Sequence, residues 1–473
     1  MATKTKRKPT IPVLPWPAVP TPTQEEVYQG ESDQAKEYAL YLESILHQSK
    51  NFGKPEALNG LRVLDCTHTM IIGHWCSSLF AEKGAEVIMV EPPGGDPLRD
   101  LSPFGREEYM FPAKDGGGKV GARFLAEARS KQSVTLDLTK AEGREILKRL
   151  AVHADVLIEN GPPGQWDAWG IGYRQLSQIN PRLVYCWVGQ LGQWGPLKDR
   201  PGNLDPTAQA ASGFVHGTGF PASFGGTPTR SGWWMADQVG GTTAALGVMA
   251  ALYHRDTVSG RGQFVESTGA AAVIRILDYN WAWYGMDGSI RPRYGNWDLA
   301  INIYGVNPCV DGQIMVGGGH DRLWYRIWRT VGKDRPEVEQ HITEDPGMRE
   351  VTNRLPHHKQ VETYTALCEW LKGQTRSDAE TKLQAEEVAS GGVSFIDEVC
   401  EFPHYKYHGH MEVVDDLHYG PVLIGSSAFL AQKTPGRVKW IGRPTGHDTE
   451  EVYGRLLGLT KTDLDALRKK GVI

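Results

Sequence analysis

LRVLDCTHTMIIGHWCSSLFAEKGAEVIMVEPP, residues 61–93, sets the reading of the whole chain. Leu61–Asp65 and Glu86–Val90 are short apolar runs without the strict alternation of a strand that has one wet face. Such runs belong to strands buried on both faces, as in a parallel sheet covered by helices. Between them Ile71–Lys83 has the length of a helix and stops before Gly84. The unit recurs downstream. Asp155–Ile158 and Leu183–Val188 read as further strands, preceded by the helices Ala141–His153 and Tyr173–Gln178. A long helix rich in small residues runs from Asp237 to about Tyr253, and a strand, Gly262–Glu266, follows it. Strand and helix in alternation predict an α/β fold.

The texture changes between Pro292 and His404, where two short strands, Ile301–Val306 and Gln313–Val316, sit among amphipathic helices. Regularity returns at the end, with helices Glu450–Leu457 and Lys461–Lys470 divided by Gly458. The start is different again. Lys4, Lys6, Arg7 and Lys8 precede Pro9, Pro12, Pro15, Pro17, Pro20 and Pro22, and a polar helix runs on to about Gln48. No apolar segment follows the basic cluster, so it reads as a polyproline-like arm rather than a secretory leader. The expected organisation is an arm with a surface helix (1–57), a large domain (58–291), a smaller inserted α+β domain (292–404) and a C-terminal segment returning to the large domain (405–473).

Composition narrows the function. At 473 residues, 40% hydrophobic and 23% charged, with a net charge of −5, the chain has no overall positive field for nucleic acid. It has no run of about 20 apolar residues that would span a membrane. Its six cysteines are scattered without C-x-x-C, which suits a reducing cytoplasm and speaks against zinc or iron–sulfur. His404, His408 and His410 crowd together without carboxylates at ligand spacing and read as a loop, so no metal is expected. The turn Asp65–Gly73 lacks G-x-G-x-x-G, which removes support for a nicotinamide or flavin site. Neither a P-loop nor a G-x-S-x-G elbow is present, and Gly116-Gly117-Gly118 reads as a turn.

Seven strings, taken in order, carry a resemblance. They are Leu58-Asn59-Gly60-Leu61-Arg62-Val63-Leu64-Asp65; Gly84-Ala85-Glu86-Val87-Ile88 with Val90-Glu91-Pro92-Pro93-Gly94-Gly95-Asp96-Pro97; Ser133-Val134-Thr135-Leu136-Asp137-Leu138; Ala154-Asp155-Val156-Leu157-Ile158-Glu159-Asn160; Asn180-Pro181-Arg182-Leu183-Val184-Tyr185; Gly260-Arg261-Gly262-Gln263; and Gly446-His447-Asp448-Thr449. From about Leu58 onward the chain resembles the class III CoA-transferase family, the formyl-CoA:oxalate and carnitine-CoA type that includes the α-methylacyl-CoA racemases. The resemblance implies a large domain with a Rossmann-like parallel sheet, an inserted small domain and an interlocked dimer. It also implies coenzyme A thioesters as substrates, an acyl-CoA donor and a carboxylic acid acceptor.

Asp237, in Trp233-Trp234-Met235-Ala236-Asp237-Gln238-Val239-Gly240-Gly241, matches the family's catalytic aspartate. Its chemistry agrees: a carboxylate of ordinary pKa is ionised at neutral pH and attacks a thioester without a general base. A place before a helix would also offer backbone N–H groups to an oxyanion. The alternative reading of Asp237 is a plain helix cap. The resemblance implies CoA contacts from Thr69, Met70, Ile71, Leu136, Thr139, Asn160 and Gly161. Where relatives often carry arginine, this chain has Pro92 and Ala168, so Arg99, Lys140, Lys198 or Arg200 are candidates for the phosphates. Gly317-Gly318-Gly319-His320 would be the mobile lid that keeps water from the intermediates.

By the resemblance, the racemase branch of the family places a histidine where this chain has Asn203, and an amide serves as neither acid nor base, so CoA transfer is favoured unless the alignment shifts onto His216. A catalytically silent subunit of a heteromeric transferase is a further alternative, opposed by the presence of Asp237. Fifteen tryptophans, with Trp233 and Trp234 close to Asp237, suggest a flat apolar wall and an aromatic acceptor acid, with succinyl-CoA as donor. A homodimer is expected, a heteromer with a related subunit being the alternative, in the cytoplasm and without nucleic acid or membrane partners.

Overall fold

The computed structural model describes residues 21–473 apart from Glu31, Phe52, Asp115, Gly117 and Gly202. The arm expected between Lys4 and Pro20 lies outside the described residues, as does the middle of the triple glycine at 116–118. A helix, Asp33–Leu46, follows, its first turn capped by the Ser32 hydroxyl accepting from Ala35 N. Among the described residues no helix is long and apolar enough to cross a membrane.

The residues divide into two compact units. Among the described residues the first comprises those as far as Ser212, with Gly232–Asp278 and Cys400–Ile473. Its centre is a six-stranded, all-parallel sheet of β1 (Arg62–Cys66), β2 (Glu86–Glu91), β3 (Gln132–Thr135), β4 (Val156–Glu159), β5 (Val184–Gly189) and β6 (Phe264–Thr268). The spatial order is β3-β2-β1-β4-β5-β6. The chain winds outward from β1 to one side and then crosses back to place β4 on the other side. That reversal leaves a crevice beyond the C-terminal ends of β1 and β4, where open α/β sheets take their ligands.

Neighbouring residues along each strand face opposite cores, which is why the runs are continuously apolar. On one face Leu64, Ile88 and Leu157 pack with Ile146, Leu147 and Leu150 of helix Ala141–Ala151 and with Val452 and Tyr453 of helix Thr449–Leu457. On the other, Val63, Val87, Val156 and Ile158 pack with Ile72, Cys76 and Phe80 of helix Ile71–Ala81 and with Ala244 and Val248 of helix Met235–His254. These two helices touch through glycine: a Cβ on Gly241 would lie 2.4 Å from the Ile72 carbonyl oxygen. The C-terminal string is tied to the sheet's edge strand, with Ser133 N donating to Asp448 Oδ2 at 2.8 Å and Thr135 N to Thr449 Oγ1 at 3.2 Å.

The second unit joins Gly213–Ser231 to Tyr279–Val399. It therefore begins before the expected boundary at 292 and takes in an excursion just ahead of Asp237 that local texture did not separate. Its antiparallel sheet has β8 (Gly312–Gly317) between β7 (Tyr304–Cys309) and β9 (Ala389–Gly392). Ile314 and Val316 pack against Trp324, Trp328, Leu367 and Leu383, so several tryptophans serve this core. His404 and His408 belong to a short helix, Pro403–His408, rather than a loop.

Candidate active site

Asp237 is the third residue of helix Met235–His254, which corrects the expectation that it precedes the helix. It does not cap the helix either. That task falls to Asp205, the first residue of helix Asp205–Ala211, whose Oδ1 accepts from Ala236 N at 2.8 Å and Asp237 N at 3.1 Å. These helix N–H groups are committed to Asp205, which removes them as oxyanion donors. Gln209 Nε2 donates to the other oxygen of Asp205 at 2.7 Å. Asp205 and Asp237 are 2% and 3% exposed, so two carboxyl groups share one water-poor site.

Asp237 Oδ1 accepts a 2.5 Å hydrogen bond from Nε2 of Gln190, the residue that directly follows β5. Gln190 N donates in turn to Asn203 Oδ1 at 3.1 Å. The protonation state departs from the reading of an ordinary carboxylate. Burial first, and then the like charge of Asp205, push Asp237 up from 3.8 to about 7, against the hydrogen bond from Gln190 and the charge of Arg123. A carboxylate stripped of water is the more basic and the stronger nucleophile.

A cavity of about 670 Å³ opens beyond the C-terminal ends of β1, β3 and β4, at the reversal of strand order. Thr69, Met70, Leu136, Thr139, Asn160 and Gly161 all line it, brought together from three separate loops. Lys198 and Arg200 line it too, with Asn203, which links the cavity to Gln190 and hence to Asp237. Three of the named residues are elsewhere. Ile71 is buried as the first residue of its helix. Arg99 is held by Glu91 through two 2.6 Å hydrogen bonds and lies over the Phe124 ring, so it is a structural ion pair. Lys140 Nζ donates to the carbonyls of Lys470 and Gly471 at 2.7 Å each, tying down the C-terminus. A basic residue in a loop looks alike in sequence whether it meets a ligand or a neighbour.

The lip of the cavity is strained and braced. Thr69 has φ +61, a left-handed conformation that a β-branched residue rarely adopts. Its N–H donates to Asp96 Oδ2 at 3.2 Å, and the adjacent His68 exchanges two hydrogen bonds with the Asn160 side chain, of 2.9 and 2.7 Å. Behind the lip, buried His74 bridges Asp65 and Asp96 at 3.3 and 3.4 Å, and Lys131 Nζ reaches Asp65 at 3.1 Å. Burial opposes a charge on His74, but Asp65 and Asp96 raise it to about 9.

Trp233 and Trp234 are 75% and 42% exposed, so they form no closed wall within their own unit. Gly317 ends β8 and Gly318 is buried, donating to the Ile303 carbonyl; Gly319 and His320 are exposed ahead of helix Asp321–Gly332. Sequence reasoning missed Asp205 and Gln190 as site residues. Asp-Pro opening a helix, and a polar residue just past a strand's C-terminal end, were the available signals.

The family model described as CoA-transferase family III matches residues 58–449. The chain is 32% identical over 421 residues to the succinyl-CoA–D-citramalate CoA-transferase of Chloroflexus aurantiacus, covering 89% of this chain and 98% of that protein. It is 32% identical over 422 residues to the succinyl-CoA–L-malate CoA-transferase beta subunit of the same organism, covering 88% and 98%. Among solved structures, a CaiB/BaiF family protein from Brucella suis matches with a TM-score of 0.69 at 26% identity, covering 85% of this chain and all of that one. On this extent of similarity, with an acidic side chain buried at a helix start near a strand-end cavity, the chain belongs to CoA-transferase family III and is a CoA-transferase.

Proposed function

We propose that the chain moves CoA from succinyl-CoA to a short aliphatic hydroxy- or dicarboxylic acid, with Asp237 as the nucleophile. The observation that carries this reading is the buried Asp237 gripped by Gln190 and linked through Asn203 to the cavity at the strand ends. The acids for which the two Chloroflexus relatives are named, citramalate and malate, support the acceptor class. CoA would lie in the cavity against Thr69, Met70, Leu136, Thr139, Asn160 and Gly161, with Lys198 and Arg200 toward its phosphates.

Asp237 attacks the donor's thioester carbon, expelling CoA thiolate and forming a mixed anhydride. The thiolate attacks the Asp237 carbonyl carbon and releases the donor acid, leaving an aspartyl–CoA thioester. The acceptor carboxylate displaces the thiolate to give a second anhydride, and the thiolate attacks its acceptor side, freeing Asp237 and the new acyl-CoA. Each exchange trades one activated acyl group for another of similar energy, so the protein's task is position and dryness. Hydroxylamine added with succinyl-CoA should mark the peptide bearing Asp237, and Asp237→Ala should abolish transfer; trapping on another carboxylate would refute the assignment.

An aromatic acceptor is the second reading, favoured by Trp233 and Trp234 immediately ahead of the Asp237 helix. A panel of malate, citramalate, glutarate and aryl acids with succinyl-CoA, read by mass spectrometry, decides between them. We also propose an interlocked dimer of like or related chains. Leu246, Tyr253 and Val258, on and just past the Asp237 helix, are about 70% exposed and give it an apolar face to cover. A folded monomer in sedimentation at micromolar concentration would refute this.

A further inference from the structure

The two oxygens of Asp237 are not equivalent. Oδ1 takes the 2.5 Å hydrogen bond from Gln190 Nε2, whereas Oδ2 accepts none from the described residues. Gln190 is fully buried, and its main chain is fixed on both sides. Its N–H donates to Asn203 Oδ1 and its carbonyl accepts from Ala270 N, each at 3.1 Å. Among the described residues its Oε1 has no hydrogen-bond partner, and it presses on Gly269, where a Cβ would come within 2.0 Å of it. An unsatisfied buried amide oxygen is costly. The fold tolerates it while keeping the amide N–H on a group that, as a carboxylate, only accepts. The N–H groups of Ala236 and Asp237, in the first turn of the same helix, are held by Asp205.

We propose that Gln190 is a catalytic residue, the oxyanion donor for the two steps that take place at the Asp237 carbonyl carbon; this rests on Asp237 being the nucleophile. Oδ2 is the oxygen free to bond the donor's acyl carbon, and Oδ1 remains as the carbonyl oxygen. When CoA thiolate attacks the anhydride at Asp237 Cγ, a C–S bond forms and the carbonyl electron pair moves onto Oδ1. Its return breaks the bond from Cγ to Oδ2 and expels the donor carboxylate. When the acceptor carboxylate attacks the thioester, a C–O bond forms, Oδ1 again takes the pair, and its return expels the thiolate. Both steps place negative charge on the oxygen that Gln190 Nε2 already touches, and a donor set in advance costs no reorganisation as charge develops.

The test uses Gln190→Leu and Gln190→Glu with the wild type, followed by rapid quench and intact-protein mass. Succinyl-CoA alone should charge the protein with CoA, and added succinate should discharge it. Gln190→Leu is expected to reach the same final level of CoA adduct while charging and discharging about 10² to 10³-fold more slowly, with KM changed less than a few-fold. Gln190→Glu, which has a proton to donate only in its neutral form, should regain discharge rate as pH falls. Discharge at the wild-type rate in Gln190→Leu would overturn the proposal. So would a lower adduct level with unchanged rates, since that reports lost folded sites or a displaced Asp237. Absence of adduct in the wild type would instead remove Asp237 as nucleophile.

Discussion

Asp205→Asn tests whether the paired carboxyl groups set the chemistry of the site. The asparagine side-chain oxygen can still accept from Ala236 N and Asp237 N, so the helix start keeps its cap while the neighbouring charge is removed. Raising Asp237 from 3.8 to about 7 corresponds to about 4 kcal/mol against its ionised form, at about 1.4 kcal/mol per pH unit. Burial is the larger cause and Asp205 the second, so the variant should recover a minority of that, about 1.4 kcal/mol or one pH unit. Only the carboxylate attacks, so kcat/KM of the wild type should rise with pH to a plateau, with its midpoint near 7. In Asp205→Asn the midpoint should move down by about one pH unit, making the variant relatively more active at pH 6. The assay is kcat/KM for succinyl-CoA from pH 5 to 9, with circular dichroism at each pH. An unmoved midpoint in a folded variant would refute the idea that Asp205 tunes Asp237.

Two groups make stability depend on pH in separate windows. Asp237, a carboxyl raised by burial, costs the fold more as pH climbs from 3.8 to about 7. His74, raised to about 9, stabilises fully below pH 6.5 and loses that contribution, about 3 kcal/mol, as pH rises through 9; urea titrations of the wild type and His74→Gln at pH 6.5 and 9.5 should converge at the higher pH. Gly241→Ala should destabilise by about 1–3 kcal/mol, because its Cβ meets the Ile72 carbonyl at 2.4 Å, while Gly285→Ala, with open space around it, should gain about 0.5–1 kcal/mol by the same measurement. Lys198→Ala and Arg200→Ala should each raise KM for succinyl-CoA about 10-fold with kcat little changed. Arg99→Ala should instead lower the unfolding free energy, by about 3–5 kcal/mol, since it leaves the buried Glu91 carboxylate without its opposite charge.

The sequence by itself determined the parallel sheet. Strands buried on both faces must be apolar throughout, and that signature is complete within each short run, as in Leu64 and Val63, which serve opposite cores from adjacent positions. It also named residues that the fold gathers, because loops at strand ends converge: six of the seven loop residues named for CoA line a single cavity. Tertiary structure alone decided the rest. Asp205 and Gln190 are 32 and 47 residues from Asp237 along the chain, and only closure of the sheet brings them to its backbone and its carboxyl. Arg99 and Lys140 have the right charge, but their partners are Glu91 at the end of β2 and the carbonyls of Lys470 and Gly471, which the fold brings to them. The raised pKa of Asp237 has the same origin. Periodicity and turn chemistry act over a few residues, whereas desolvation and charge coupling depend on every element that closes around a group, so Asp237 could be named from the sequence and its ionisation could not.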